Sequence, residues 1–426
     1  MTDCVEIALT SATSAQHWSC CAWDVRTGTQ LMTYRAGGPP GPNTLHTINN
    51  EYVVAGNLTK PMLTFWPINR QEPSNVKYML PAVPGALAIS PDGNYCIVAH
   101  AHSFNVYNLA TGVNLASVGH HYGTISVLRF TDDSSHFVSA AHDCRIVVWS
   151  LSETVQAKDS KILYELSDFT LPVTDVHIGK GGMKALLAAV SLDRSCKLYE
   201  IATGRMLLNV VFPVALGVLT LNPLETELFV GDKNGQIYGC HLQSVPRSKE
   251  VHLQKDLLQR SVFRGHKKSI TCLSASMDNE TLLSGSEDET VIVWHVQTRQ
   301  QLKLIPHKGT ITNAFFLITP RAMFDPSQTL TVPFPPFEKT VSTRKDRERM
   351  TLELVVSAKR PLRERIGHRK DDLQYQTDAP TVVEPGDSDK DWKLKQLERE
   401  IQNLNRINQQ LYKESLRALV DVVDQK

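Results

Sequence analysis

Two stretches carry the reading: GHHYGTISVLRFTDDSSHFVSAAHDCRIVVWS at residues 119–150 and GHKKSITCLSASMDNETLLSGSEDETVIVWH at residues 265–295. Each opens on Gly-His, at Gly119-His120 and Gly265-His266. Each then runs through an apolar strand, a turn, a small-residue stretch ending in Asp, and a Val-Trp pair. The two are built to one plan. A repeat of roughly 40 residues with this pattern is one blade of four strands in a β-propeller.

Weaker copies fill in the ring. Aligned on the Trp position, the anchors are Trp23, Trp66, Tyr107, Trp149, Tyr199, Cys240 and Trp294. Seven anchors predict seven blades, an all-β fold. The wider spacings before Tyr199 and Trp294 predict insertions near 152–170 and 243–262. Between anchors the residues alternate apolar and polar at strand period, broken by turn pairs such as Asn234-Gly235. Trp23 comes too early for a complete first blade. VEIAL (Val5–Leu9) gives it one strand, and ITNAFFLI (Ile311–Ile318) reads as the strand it lacks. Such a pairing leaves no open edge. The propeller is placed at 1–320.

These elements resemble the WD-repeat family, in which a His, a Ser, an Asp and a Trp link neighbouring strands by hydrogen bonds. The resemblance assigns His120, Ser139, Asp143 and Trp149 to one blade, and His266, Ser284, Asp288 and Trp294 to another. The other blades have lost most of the set, so apolar packing is expected to hold them.

Composition narrows the function. Lys and Arg number 45 against 44 Asp and Glu, a net charge of +1. This argues against a surface built wholly for nucleic acid or an anionic membrane. The eight Cys show no CxxC or paired spacing, so neither a zinc site nor a disulfide framework is indicated. The first residues do not read as a secretory signal, and no apolar run is long enough to span a bilayer. A reducing compartment is expected.

No catalytic constellation emerges, and no cofactor or metal site is expected. Ser139, His120 and Asp143 imitate a nucleophile triad, but the same types recur with Trp at 266–294, as structural bonds would. GKGGMK (Gly179–Lys184) is Gly-rich yet lies in a blade turn, a weak phosphate cradle.

The remaining hundred residues change character. Residues 321–376 form a Pro/Phe-rich strap followed by a basic segment. Phe334-Pro335-Pro336-Phe337 reads either as packing on the propeller or as an aromatic docking segment. Residues 339–370 carry eleven Lys and Arg against four acids. Lys359, Arg360, Arg363, Arg365, Arg369 and Lys370 are a solvated face, an import signal or an RNA-backbone contact. Residues 377–391 read as an acidic linker. Residues 392–424 read as a coiled-coil helix whose seam is Leu394, Leu397, Ile401, Leu404, Asn408 and Leu411. Asn408 at an a position favours a parallel dimer in register.

The order of propeller, strap, basic segment and leucine-rich helix resembles the WD-repeat subunit family of the nuclear complex that matures large-ribosomal-subunit precursors. That resemblance implies a non-catalytic scaffold bound to a large helical-repeat protein rich in Pro, Glu and Leu. It implies self-association through the C-terminal helix, docking on the pre-ribosomal large subunit, and help in recruiting a dynein-like ATPase. It implies a role in spacer rRNA removal and residence in nucleolus and nucleoplasm with some cytoplasmic pool. A substrate receptor of a ubiquitin ligase and a direct RNA-binding propeller are the rival readings.

Overall fold

A computed structural model gives the fold. It describes residues 6–14, 18–156, 162–243, 250–252, 262–325, 334–338 and 340–341. Among these, seven sheets, antiparallel but for one added edge strand, form a seven-bladed propeller. From blade 1 to blade 7, the innermost strands are Ile311–Ile318, Pro40–Ile48, Ala86–Ile89, Ile125–Phe130, Val173–Ile178, Leu216–Leu221 and Ile270–Ala275. The ring closes as expected. Ile311–Ile318 pairs with Glu6–Ala12, Leu9 opposite Phe315 and Ser11 opposite Asn313. The last strand of the propeller is thus the innermost strand of its first blade.

The core is not one mass but seven wedges, one between each pair of neighbouring blades. Strand alternation explains this, because successive side chains leave opposite faces of a sheet. In blade 4, Phe137 and Trp149 pack toward blade 3 with Phe104 and Val106. Val138 and Val148 turn the other way and meet Val176, Leu187 and Tyr199 of blade 5. Middle strands are therefore apolar on both faces, and the alternation read from sequence is clearest only at blade rims.

Both predicted insertions fall where the spacing places them. The first holds the short helix Leu151–Gln156 before the outer strand Ile162–Leu166. The second contributes Glu250–His252, which runs parallel to Arg205–Val211 and becomes a fifth strand on blade 5. It covers that blade's outer edge, the surface most prone to stray strand pairing. The described cysteines Cys20, Cys21, Cys96, Cys144, Cys196, Cys240 and Cys272 are all free. Most lie in strands, where a thiol packs as a small apolar group.

Residues 334–338 of the strap pack between blades 2 and 3. The Phe337 ring is buried and stacks on Tyr107 with centroids 4.5 Å apart. It also meets Phe65 and Tyr78 edge-on. The Tyr78 hydroxyl donates to the Phe334 carbonyl at 2.8 Å, and the Glu338 amide donates to the Gly112 carbonyl at 2.8 Å. Gly112 sits at φ +72, and a β-carbon there would lie 2.4 Å from the Pro336 carbonyl oxygen. Only glycine serves there. Phe337→Ala is expected to cost about 3 kcal/mol, the scale for emptying a buried aromatic site. Limited proteolysis should then cut between residues 325 and 341 faster than in the parent; equal cutting rates would show that the ring does not hold the strap.

The expected basic segment with Lys359, Arg360, Arg363, Arg365, Arg369 and Lys370 lies outside the described residues, as do the linker at 377–391 and the helix at 392–424.

Candidate functional site

The polar side chains singled out by sequence meet at the loops that enter and leave the blades. In blade 7, His266 Nε2 and Ser284 Oγ are 2.7 Å apart, and Trp294 Nε1 donates to the same Oγ at 2.8 Å. His266 Nδ1 lies 3.1 Å from an Asp288 carboxylate oxygen. That oxygen also accepts the Lys267 amide. The indole, hydroxyl, imidazole and carboxylate form one chain from the third strand of the blade, Thr290–His295, to the loop.

Blade 4 has the same chain with one correction. Its histidine is His121, not His120. His121 Nε2 is 2.7 Å from Ser139 Oγ and Nδ1 is 2.9 Å from Asp143, while Trp149 Nε1 donates to Ser139 Oγ at 2.9 Å. His120 instead lies edge-on against the Trp149 ring and 3.5 Å from Glu165. Spacing carried the signal. His121 precedes Ser139 by 18 residues and Asp143 by 22, the same intervals that separate His266 from Ser284 and Asp288. The physical reason is an extra residue in the loop, which turns the first ring outward.

Blade 1 carries a third, reduced chain that the sequence reading missed. Trp23 Nε1 donates to Thr10 Oγ1 at 2.8 Å, and Thr10 Oγ1 is 2.9 Å from His307 Nε2. Thr replaces Ser and no carboxylate joins. Its members come from opposite ends of the propeller, so no local repeat could show it. It spans the closure itself.

Geometrically, Ser139, His121 and Asp143 stand as a nucleophile triad would. Chemically they do not act as one. Ser139 is fully buried, and its oxygen already serves both the indole and the imidazole. No substrate carbonyl reaches it. Burial lowers the pKa of His121 below its usual value, against the pull of Asp143. Burial alone would raise Asp143, but its hydrogen bond to His121 and its backbone amide partners hold it below the usual range. The pair is thus a neutral imidazole donating to a carboxylate. We expect His121→Ala to destabilise the fold by about 2–4 kcal/mol, because Asp143 and Ser139 lose a buried partner. His120→Ala should change stability by less than about 1 kcal/mol. Urea unfolding of both variants decides; a larger loss for His120 would restore the first assignment.

The glycine-rich turn is occupied by protein. The Gly181 and Gly182 amides both donate to the Asp132 carboxylate, which takes the place a phosphate would need. Among the described residues no group of three or more His, Cys, Asp or Glu stands ready to hold a metal. No helix among them is long and apolar enough to cross a membrane.

Among the described residues, both faces of the ring carry exposed side chains. On the face bearing the His–Asp loops, Tyr122 is 82% exposed with the Arg145 guanidinium 5.3 Å from its ring centroid. Arg145 is itself held by Glu165 at 2.5 Å. On the opposite face, Leu224 and Met277 stand exposed in the turns after the innermost strands of blades 6 and 7. Between the faces runs a central channel lined by both polar and apolar residues of the innermost strands.

The model for the WD domain, G-beta repeat, matches residues 112–150 and 258–295, the two blades with complete chains. WD repeat-containing protein 18 of Homo sapiens is 38% identical over 338 residues, covering 79% of this chain and 78% of that protein. This chain belongs to the WD repeat-containing protein 18 family. The family member from Danio rerio is 34% identical over 425 residues, 97% of this chain and 98% of its own. Similarity to the family therefore extends beyond the blades into the C-terminal hundred residues. Pre-rRNA-processing protein pro-1 of Caenorhabditis briggsae is more distant, 24% identical over 327 residues that span 74% of this chain and 61% of its own. The family's architecture is a WD-repeat propeller, a fold that ordinarily binds rather than catalyses.

Proposed function

We propose that the protein is a non-catalytic scaffold subunit of a nuclear complex that matures pre-ribosomal large subunits and supports spacer rRNA processing. Its relationship to a protein named for pre-rRNA processing carries the reading. The buried state of its triad-like residues supports it, since the polar chains spend their bonding capacity inside the blades. What is left for function is a rigid ring with loops on two faces, the arrangement that suits protein assembly.

The propeller binds a large helical-repeat scaffold rich in Pro, Glu and Leu. Through that complex it reaches the pre-ribosomal large subunit and a dynein-like ATPase, in nucleolus and nucleoplasm. Exposed Tyr122 beside Arg145 has the residue types that dominate interface energies. The seam from Leu394 to Leu411 pairs two copies.

Tagged protein recovered from nuclear extract after RNase treatment tests this. Mass spectrometry should find the helical-repeat scaffold and the large ATPase. Recovery of a cullin adaptor instead would favour the ligase reading, and loss of every partner with RNase would favour direct RNA binding. Light scattering should give a dimer for the full chain and a monomer for a version ending at Pro380. A full-length monomer at micromolar concentration would end the self-association reading.

A further inference from the structure

The central channel contains a cavity of about 340 Å³. Its polar lining includes Asn43 and His46 of blade 2, Arg129 of blade 4, Asp175 and His177 of blade 5, and Asn313 of blade 1. The hydrogen-bonding capacity of this lining is unevenly used. Asp175 is satisfied: one carboxylate oxygen accepts the Val176 amide at 2.9 Å and the other accepts the Leu219 amide at 3.1 Å. Asn313 Nδ2 donates to the Gly41 carbonyl at 2.8 Å. Arg129 differs. Its guanidinium has no hydrogen bond or ion pair with any described residue. His46 Nε2 is likewise buried with no hydrogen-bond partner. Arg129 therefore leaves donors in need of an acceptor, and His46 Nε2 joins them as a donor once its ring is protonated.

We propose that this cavity is a binding site for a small oxyanion, a phosphate- or carboxylate-sized group seated between Arg129 and His46. A planar guanidinium with five free donors matches either group, and bonds to a charged acceptor in a confined site are the strong ones. The volume admits one such group with a few waters, not a polymer. The site is built by the ring and not by any one blade, since its donors come from blades 2 and 4.

Protons accompany the anion. Burial, with the neighbouring Arg129, holds His46 and His177 in the neutral state. A bound anion cancels the Arg129 field and favours protonation of both rings, turning His46 Nε2 into a donor. Asp175 opposes the anion, and Cys272 of blade 7 also lines the channel, with its thiol kept neutral by burial. Among the described residues, blades 1, 3 and 6 present no titratable group to it. Binding therefore tightens as pH falls.

Titration calorimetry on the full chain tests the site, with inorganic phosphate and acetate as probes at about pH 6 and about pH 8. We expect saturable one-site binding, stronger at the lower pH, with proton uptake seen as a dependence on buffer ionisation heat. The stronger probe identifies the anion geometry. Arg129→Gln should weaken binding by about tenfold or more, the scale of one charged hydrogen-bonding partner. His46→Gln should retain binding at the higher pH and lose most of the pH dependence. Near-UV circular dichroism of each variant confirms that the ring is intact. Absence of saturable binding to the parent chain overturns the proposal whatever the variants do, as does Arg129→Gln binding like the parent.

Discussion

Trp294→Ala is expected to lower the unfolding free energy by about 3–5 kcal/mol, with Trp149→Ala close behind. Two losses add. Each indole is almost wholly buried in the wedge between its blade and the preceding one, packed on Phe263 or Phe104. Each also donates the hydrogen bond that anchors the buried serine, so truncation leaves Ser284 or Ser139 with an unused acceptor. A domain of ordinary stability holds only about 5–15 kcal/mol in total, so either variant approaches the threshold of folding. Trp294→Phe separates the terms, because it keeps most of the buried area and removes only the donor. Its cost should be nearer 1–2 kcal/mol, a rough figure for one lost buried hydrogen bond. Guanidinium unfolding followed by circular dichroism measures all three; a Phe variant as unstable as the Ala variant would place the whole effect in the hydrogen bond.

Acidification should unfold the propeller well above the range where carboxylates alone titrate. His307 and His177 are held neutral in the fold, both pushed down to about 4, and His46 to about 3, from an ordinary 6.5. Burial is the main cause in each, and Arg129 adds to it for the two channel rings. The sign follows from proton binding. The unfolded chain takes up protons below pH 6.5 and the folded chain resists until near pH 4, so stability falls through that interval. A shift of this size costs about 3 kcal/mol per histidine at the lower end. His307 is 7% exposed and carries the firmest share, whereas His46 and His177 face the channel, where water screens part of theirs. Asp175 and Asp232 work the other way, since burial raises both. Urea midpoints at pH 7 and about pH 4.5 should differ strongly for the parent chain. His307→Gln should lose stability at pH 7, by severing the Thr10 chain, and lose less of what remains on acidification. Midpoints that ignore pH would remove the buried neutral histidines from the account.

Sequence by itself determined the ring. Seven anchors from Trp23 to Trp294, two complete polar sets and an orphan strand at Ile311–Ile318 were enough to give blade number and closure. They are legible because each depends on local chemistry: strand alternation, turn residues, and side chains spaced by one blade's length. Tertiary structure showed the inward ring to be His121, not His120, a choice that the spacing shared with His266 encodes and the Gly-His pair alone does not. It also decided that Phe337 stacks on Tyr107, that Glu250–His252 adds to blade 5, and that Thr10 meets His307. The channel site is the extreme case, since Arg129 and His46 sit in different blades with unremarkable neighbours. Nothing in a one-dimensional pattern encodes which residues seven separate strands bring to a common axis. That depends on the register each strand adopts when the ring shuts.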